Sequence, residues 1–488
     1  MEKTYSIPQL RTRLIDIVGT ENFSTDSEVL QSYSENPYYP LLAKKRQPEF
    51  IVMPREVEEI TEIIKVANKL GTPVVPRSSG LDPYGDAIPI FGGIMVDLAN
   101  MKKTVQVEPS ALGGVFARVE PGVTFDMLQA ELKKEGVRVL MPARLSSSTT
   151  LASSYFNRNV LFSSNRNGYS VDEVILSYEM VLPTAEVLKT GSLTLPNSGG
   201  TNPHTRGSDI GRICMGSLGT TGIVTKLTLK LKPLPEVRKP FFLQSEKIED
   251  LLNATKKISR WSTVEIGEET IIMNKNSLAS LFANNIHEFG NLMEALPMWT
   301  QIICLTGEPE WVDCQERDLM DAAEGTGIKP VPDLPGFEKA SMEFSEEFVS
   351  PTRIDRAFKY LPFNRVEYYT THRKIPVFNK EVESIAAERG YSKGLGINII
   401  PLEQARAYFV EYDLYFDLSK PEEAEHVKET YKAAYTHLIR NGATINTPHD
   451  HFVAEQLYAQ IQIYYENMLK IKKLLDPGDI MHPGKLFV

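Results

Sequence analysis

Apolar residues along this chain change their spacing in a way that marks out elements. The run FIVMP from Phe50 reads as a strand. In REVEEITEIIKVANKLG, residues Val57, Ile60, Ile63, Ile64, Ala67 and Leu70 recur on one helix face until Gly71 stops the turn. TPVVPR follows as a second strand, so a compact β-α-β unit opens into the loop of VVPRSSGLDPYGDAIPIFGGIMVDL, Val74 to Leu98. Beyond it, GGIMVDL, TVQVE and FARVEPGV are short strands, and TFDMLQAELKKEG is a helix with a Thr cap and a Gly stop.

Strands and turns continue from Val174 to Pro233, where Pro233, Pro235 and Pro240 mark a boundary. From about Phe241 to Ile445, strands such as MWTQIICLTG and QARAYFVEYDLYF and the helix PEEAEHVKETYKAAYTHLIRNG predict a separate α+β domain. One further helix is predicted over about Val453 to Leu475, ahead of LLDPGDIMHPGKLFV. The fold class is therefore α+β, with no internal repeat and no low-complexity stretch.

Composition narrows the function classes. At 488 residues the chain exceeds what one hydrophobic core usually supports. It is 42% hydrophobic and 24% charged, with mean hydropathy −0.22, and no apolar run approaches the roughly 18 residues of a membrane span. Net charge is −10 and no basic tract stands out, which argues against nucleic acid as a partner. The N-terminus lacks the basic-then-apolar order of a secretory signal, so a cytoplasmic location is expected. The three cysteines, Cys214, Cys304 and Cys314, form no CxxC pair, which fits a reducing compartment and no thiolate metal site. No GxGxxG opens a helix after the first strand, so a Rossmann dinucleotide site is not expected, and a Walker loop is absent.

Five motifs occur in one order: the β-α-β unit, the loop at Arg77 to Ala87, VEPGVTF at Val119 to Phe125, MGSLGTTGIVTKLTLKLKPLP at Met215 to Pro235, and LDPGDIMHPGK near the end. In this order they resemble the vanillyl-alcohol oxidase / p-cresol methylhydroxylase flavoprotein superfamily over nearly the whole chain. PYGDAIP at Pro83 to Pro89 is most similar to the subgroup that oxidises para-substituted phenols. The resemblance implies a split, two-subdomain FAD-binding domain, residues 1–238 and 446–488, with an α+β cap or substrate domain, residues 239–445, inserted between them. It implies a homodimer as the default assembly.

Consecutive N–H groups in a tight turn make a concave site for a pyrophosphate when no side chain blocks approach. Ser78, Ser79, Gly80 and Gly85 are the candidates for such a site, joined by Ser147, Ser148 and Thr149, with Pro76, Arg77, Leu81 and Tyr84 of the same loop as further cofactor contacts. Taken alone, Gly80 and Gly85 could simply turn a hairpin. The resemblance adds Gly222, Ile223 and Val224 as cofactor contacts and Lys485 in the closing Pro-Gly-Lys. A His that links flavin covalently in some relatives is Leu81 here, so noncovalent FAD is expected, with Tyr368, Tyr369 and His372 as the remaining attachment candidates. In ARLSSSTTLASSYFNRN most of the family's glycines are Ser or Thr, and the Tyr-Arg pair that grips a phenolate is missing near NGATINTPHDHFVAEQ.

Two chemistries stay open at this point. Oxidation of a small aromatic, para-hydroxybenzylic alcohol or alkylphenol needs phenolic donors, for which Tyr84 is the surviving candidate. Oxidation of a 2-hydroxy acid needs a carboxylate clamp and a base, for which His449, His451, Arg365 and Arg373 are candidates. Each has a plainer reading: Tyr84 packing under a turn, the histidines bonded within TPHDHF, the arginines in surface pairs. His449 and His451 would share one face of an extended segment, but no third metal ligand is evident, so no metal is expected. The substrate is a small molecule, and the electron acceptor is open among oxygen, a quinone and an electron-transfer flavoprotein. A third reading, a non-catalytic subunit that has lost flavin, follows from the altered glycine positions.

Overall fold

The computed structural model describes the whole chain except residues 1–6, 37–40, 42–45, 109–114, 144, 167–173, 203–206, 261–264, 284, 335–336, 338, 352–361 and 488. Arg144, in the Ser-rich stretch, thus lies outside the described residues.

The first sheet holds β1 (Phe23–Ser24), β2 (Phe50–Val52), β3 (Val74–Arg77) and β4 (Ile94–Asp97) in the order β1-β2-β4-β3. β4 runs parallel to both neighbours, whereas β1 is antiparallel. Parallel β2 and β3 require a crossover, and the helix Val57–Leu70 supplies it, burying Ile60, Ile63, Ile64 and Ala67. Gly71 ends that helix at φ 61°, its N–H bonded to the Ala67 and Asn68 carbonyls. The far end of the chain returns to this sheet. Val74 N–H donates to the Ile480 carbonyl at 2.7 Å, and His482 N–H donates to the Val74 carbonyl at 2.8 Å.

The second sheet is antiparallel: β5 (Thr104–Glu108), β6 (Phe116–Val119), β7 (Ile175–Val181), β8 (Val187–Lys189) and β9 (Ile223–Lys230), in the order β5-β6-β9-β7-β8. Val181 and Ile223 are fully buried and pack into the core of the first sheet.

The third sheet has six antiparallel strands: β10 (Val237–Ser245), β11 (Glu269–Asn274), β12 (Trp299–Gly307), β13 (Phe363–Thr370), β14 (Gly396–Leu402) and β15 (Ala407–Tyr415), ordered β10-β12-β11-β14-β15-β13. Side chains alternate across it. Val366, Tyr368, Val410 and Tyr412 join the core that includes helices Ile375–Glu388 and Pro421–Arg440. Tyr369 and Phe409 belong instead to the core shared with the second sheet. In this register Glu367 stands directly opposite Glu411. The molecule is thus a mixed α+β fold, a two-sheet FAD-binding domain with a cap built on the third sheet.

One expected element divides. In place of a single helix over Val453 to Leu475 the chain forms His451–Tyr458 and Gln462–Leu475. The N–H groups of Gln460 and Ile461 bond three residues back, to Leu457 and Tyr458, which interrupts the i→i−4 ladder. Tyr458 and Tyr465 stack across the break at 4.1 Å.

Candidate active site

The loop after β3 builds a cradle. Among the described residues, the N–H groups of Ser78, Ser79 and Gly80 find no acceptor. Gly80 sits at φ 64°, and a Cβ there would lie 2.4 Å from Arg77 Nε, because the Arg77 side chain turns back beside it. Its guanidinium also rests 4.5 Å from the Tyr33 ring centroid. From the second sheet, Gly219 comes so close that a Cβ would meet Pro76 Cγ at 2.5 Å, and a Cβ on Gly222 would meet the Val181 carbonyl at 2.6 Å. Thr150 donates its hydroxyl to Ser78 Oγ at 2.8 Å.

Pro76, Arg77, Ser78, Gly80, Gly222 and Val224 line one open cleft together with Ser153, Phe156 and Asn157. Unspent N–H donors and hydroxyls at one end suit a pyrophosphate, and apolar side chains beyond them suit an aromatic ring. The residues present fit FAD, which these groups would hold.

Other candidates sit elsewhere. The Leu81 carbonyl accepts from the Thr149 hydroxyl at 3.4 Å. Ile223 is fully buried, so its side chain faces the core. Ser147 Oγ donates to Asp126 Oδ2 at 2.9 Å and lies 3.0 Å from Ser350 Oγ, while Ser148 N–H is held by Ser146 Oγ. The Ser-rich stretch thus anchors itself to neighbouring segments.

The same loop then crosses to the cap. Asp82 Oδ1 accepts from the N–H groups of Tyr84 and Asp86 at 2.9 and 3.0 Å, an Asx-type turn that leaves the Tyr84 side chain on the third sheet and the Asp86 side chain on His449 and Lys485. Tyr84 Oη donates to the Glu367 carboxylate on β13. The Tyr84 ring stacks on His449, whose Nδ1 donates to Asp86 Oδ2 at 2.9 Å and whose Nε2 lies 3.5 Å from Glu367 Oε1. Lys485 closes the cluster, reaching Asp86 Oδ1 at 3.0 Å and the His449 carbonyl at 2.7 Å. Loop, cap strand, the segment before helix His451–Tyr458 and the C-terminus therefore meet at one point. Gly85 (φ 71°) supplies the bend between Tyr84 and Asp86.

The charges are mutually dependent. Burial alone would lower the His449 pKa, but Asp86 and Glu367 raise it to about 10, so the ring is an imidazolium at neutral pH. Burial would raise Asp86, yet His449 and Lys485 hold it well below the usual carboxylate range. At Asp82, burial, and then the Asp86 charge, outweigh Lys485 and the Asp86 and Tyr84 N–H groups and raise it to about 6. Burial and Lys485 lower His482 to about 4, leaving it neutral between the Leu218 and Ile88 carbonyls.

The remaining candidates fall outside this junction. Arg365 is buried in the cap sheet, 2.8 Å from Glu411 and 3.2 Å from Asp413. Arg373 is exposed on the turn after β13. His451 opens its helix beside the cap residue Asp450, which accepts from Tyr431 Oη. Tyr368 Oη pairs with Tyr412 Oη at 2.6 Å on the helix-covered face. Among the described residues, no three His, Cys, Asp or Glu side chains make a metal-holding group.

Sequence reasoning missed Asp86, Glu367, Glu411 and Thr150. A signal for Glu367 and Glu411 was present. In FNRVEYYT and YFVEYDLY, charged residues occupy alternate positions of otherwise apolar strands, which points them at a buried face.

Comparison with known proteins agrees with this geometry. Residues 48–191 match the family described as FAD binding domain. The glycolate oxidase subunit GlcD of Bacillus subtilis is 26% identical over 98% of this chain and 96% of its own length. The mitochondrial D-lactate dehydrogenase [cytochrome] of Arabidopsis thaliana is 27% identical over 47% of this chain and 37% of its own. By structure, p-cresol methylhydroxylase with substrate bound superposes with a TM-score of 0.87 at 17% identity, covering 100% of this chain and 98% of the other. The 4-ethylphenol oxidase of Gulosibacter chungangensis gives 0.82 at 18% identity over 98% and 96%. The chain is an FAD-dependent oxidoreductase with an FAD binding domain and the fold of the vanillyl-alcohol oxidase / p-cresol methylhydroxylase flavoproteins.

Proposed function

We propose that this oxidoreductase acts on a small aromatic, para-hydroxybenzylic alcohol or an alkylphenol. The observation that carries the reading is the Tyr84–Glu367 hydrogen bond. A phenol hydroxyl entering beside this pair finds a carboxylate to take its proton and a tyrosyl hydroxyl to orient its oxygen. His449, already charged, stands 3.5 Å from Glu367. FAD bound in the cleft supplies the hydride acceptor. The protein holds the substrate's C–H bond in place and moves the phenolic proton. With the reading goes the division proposed above: an FAD-binding domain of residues 1–238 and 446–488 around a cap of residues 239–445.

A second reading, oxidation of a 2-hydroxy acid, is favoured by the sequence match to a glycolate oxidase subunit over nearly the whole chain. The geometry supports it less. A base must be neutral, and His449 is protonated between two carboxylates. A clamp must be unspent, and Arg365 already serves Glu411 and Asp413. Turnover with a dye acceptor on two panels, 4-alkylphenols and 2-hydroxy acids, separates the readings. Activity confined to the acids would overturn the phenol proposal.

A further inference from the structure

Helix Gln462–Leu475 buries one of its fourteen side chains, and that one is a lysine. Lys472 is 6% exposed. Burying an ammonium costs more than burying an apolar chain of similar length, so this position answers to the hydrogen bonds the ammonium makes and not to packing. Its three donors are all spent. Nζ donates to the Thr220 carbonyl at 2.8 Å, to the Met481 carbonyl at 3.0 Å and to the Asp476 carboxylate. Asp476 in turn accepts from the N–H groups of Ile480 and Met481 at 3.1 and 2.8 Å, which folds the turn that brings the Met481 carbonyl to Lys472. A second carboxylate, Asp479, lies 3.5 Å from the same ammonium.

The two carbonyls belong to two segments that both build the FAD cleft. Thr220 stands in the turn at residues 216–222, whose Leu218, Gly219 and Gly222 line that cleft. Met481 is bridged to Val74 at the start of β3, and β3 ends in Pro76 and Arg77, which line it as well. Gly219 and Pro76 touch, with no room for a Cβ between them. Contacts therefore run from Lys472 through Met481, β3, Pro76, Gly219 and Thr220 and return to Lys472 as a closed circuit. His482 adds a strut, its Nδ1 3.1 Å from the Leu218 carbonyl. Lys472 itself is not among the residues that line the cleft. We infer that Lys472 is a positioning residue for FAD. It fixes the spacing between the turn at residues 216–222 and the loop after β3, and so sets the shape of the cleft before the cofactor arrives. Preorganisation of this kind shows as slow release of the bound molecule, and it holds for either substrate reading.

The test is the rate at which the full-length, FAD-loaded protein releases its cofactor on dilution, followed by flavin fluorescence and compared with the thermal midpoint of each variant. Lys472→Met should release FAD about tenfold faster than wild type, having lost two hydrogen bonds from a charged donor. Its midpoint should also fall, because Asp476 is left buried without its cation. The double variant Lys472→Met/Asp476→Asn removes that stranded charge. Its midpoint should recover towards wild type while release stays about tenfold fast, a separation that a purely structural lysine would not produce. Leu319→Ala, which opens a cavity in the cap core, should lower the midpoint and leave release unchanged. Release at the wild-type rate in Lys472→Met would overturn the proposal, as would release that simply tracks the midpoint across the three variants. A double variant that does not fold would assign Lys472 to structure and overturn it too, and so would a flavin that wild type and variants alike retain.

Discussion

The Tyr84 ring lies flat against the His449 imidazole, centroids 3.7 Å apart and planes 8° from parallel. A cation on an aromatic face is an electrostatic attraction as well as a packing contact, and it ties the FAD-side loop to the segment that precedes helix His451–Tyr458. The stack leaves the edge of Tyr84 facing Glu367, which separates two roles. The ring holds the junction together, and in the proposed chemistry the hydroxyl serves the substrate.

Tyr84→Phe should therefore keep the stack and lose the chemistry. With a 4-alkylphenol, kcat is expected to fall about 100-fold, equivalent to about 2.7 kcal/mol, while FAD content and thermal midpoint stay near wild type. Equal losses of FAD and activity would assign Tyr84 to structure alone.

Lys485 offers the opposite case. Its side chain is 7% exposed, and its ammonium bonds Asp86 and the His449 carbonyl. Lys485→Met leaves Asp86 with one cationic partner in a buried site, and should destabilise the protein by about 2–4 kcal/mol in denaturant titration. Without that charge, the Asp86 carboxyl should also titrate at higher pH, readable by carbon-detected NMR of labelled aspartate.

The two perturbed groups predict a pH profile of stability. Asp82 is raised from 3.8 to about 6, so the folded state binds its proton more tightly than the unfolded chain. Its contribution is full below pH 3.8 and is lost as pH rises through about 6. Asp82→Asn keeps an acceptor for the Tyr84 and Asp86 N–H groups and removes the slope. Measured by thermal melts, it should be more stable than wild type at pH 8, by on the order of 2 kcal/mol, and not at pH 4. His449 works over another window. Raised to about 10, its stabilisation is complete below pH 6.5 and is lost as pH rises through 10, a loss that His449→Gln should not show.

Much of the frame was legible because local chemistry and tertiary packing agree there. The helix Val57–Leu70 and its Gly71 stop follow from apolar spacing and one left-handed glycine. The cradle loop and Tyr84 were legible through motif order. The partner of the Tyr84 hydroxyl was not, since Glu367 lies 283 residues away, and Asp86, which holds His449 and Lys485, reads as one more turn residue. Only the pairing of β13 with β15 brings Glu367 opposite Glu411. The break at Ala459–Ile461 was also hidden, because LYAQIQIYY contains no Gly or Pro to mark it.

Attachment of the cofactor follows from the same placements. By the family resemblance Leu81 stands where a linking His would, and Tyr368 is spent on Tyr412. FAD should leave the protein on acid precipitation and appear in the supernatant; a yellow pellet would assign a covalent link, with Tyr369 and His372 the residues to substitute first.

Anaerobic mixing of the FAD-loaded enzyme with a 4-alkylphenol, with flavin absorbance followed in a stopped-flow instrument, bears most directly on the proposed chemistry. Rapid bleaching in wild type, slowed about 100-fold in Tyr84→Phe and absent with 2-hydroxy acids, is the predicted result. Bleaching by a 2-hydroxy acid alone, at a rate unchanged in Tyr84→Phe, would contradict it.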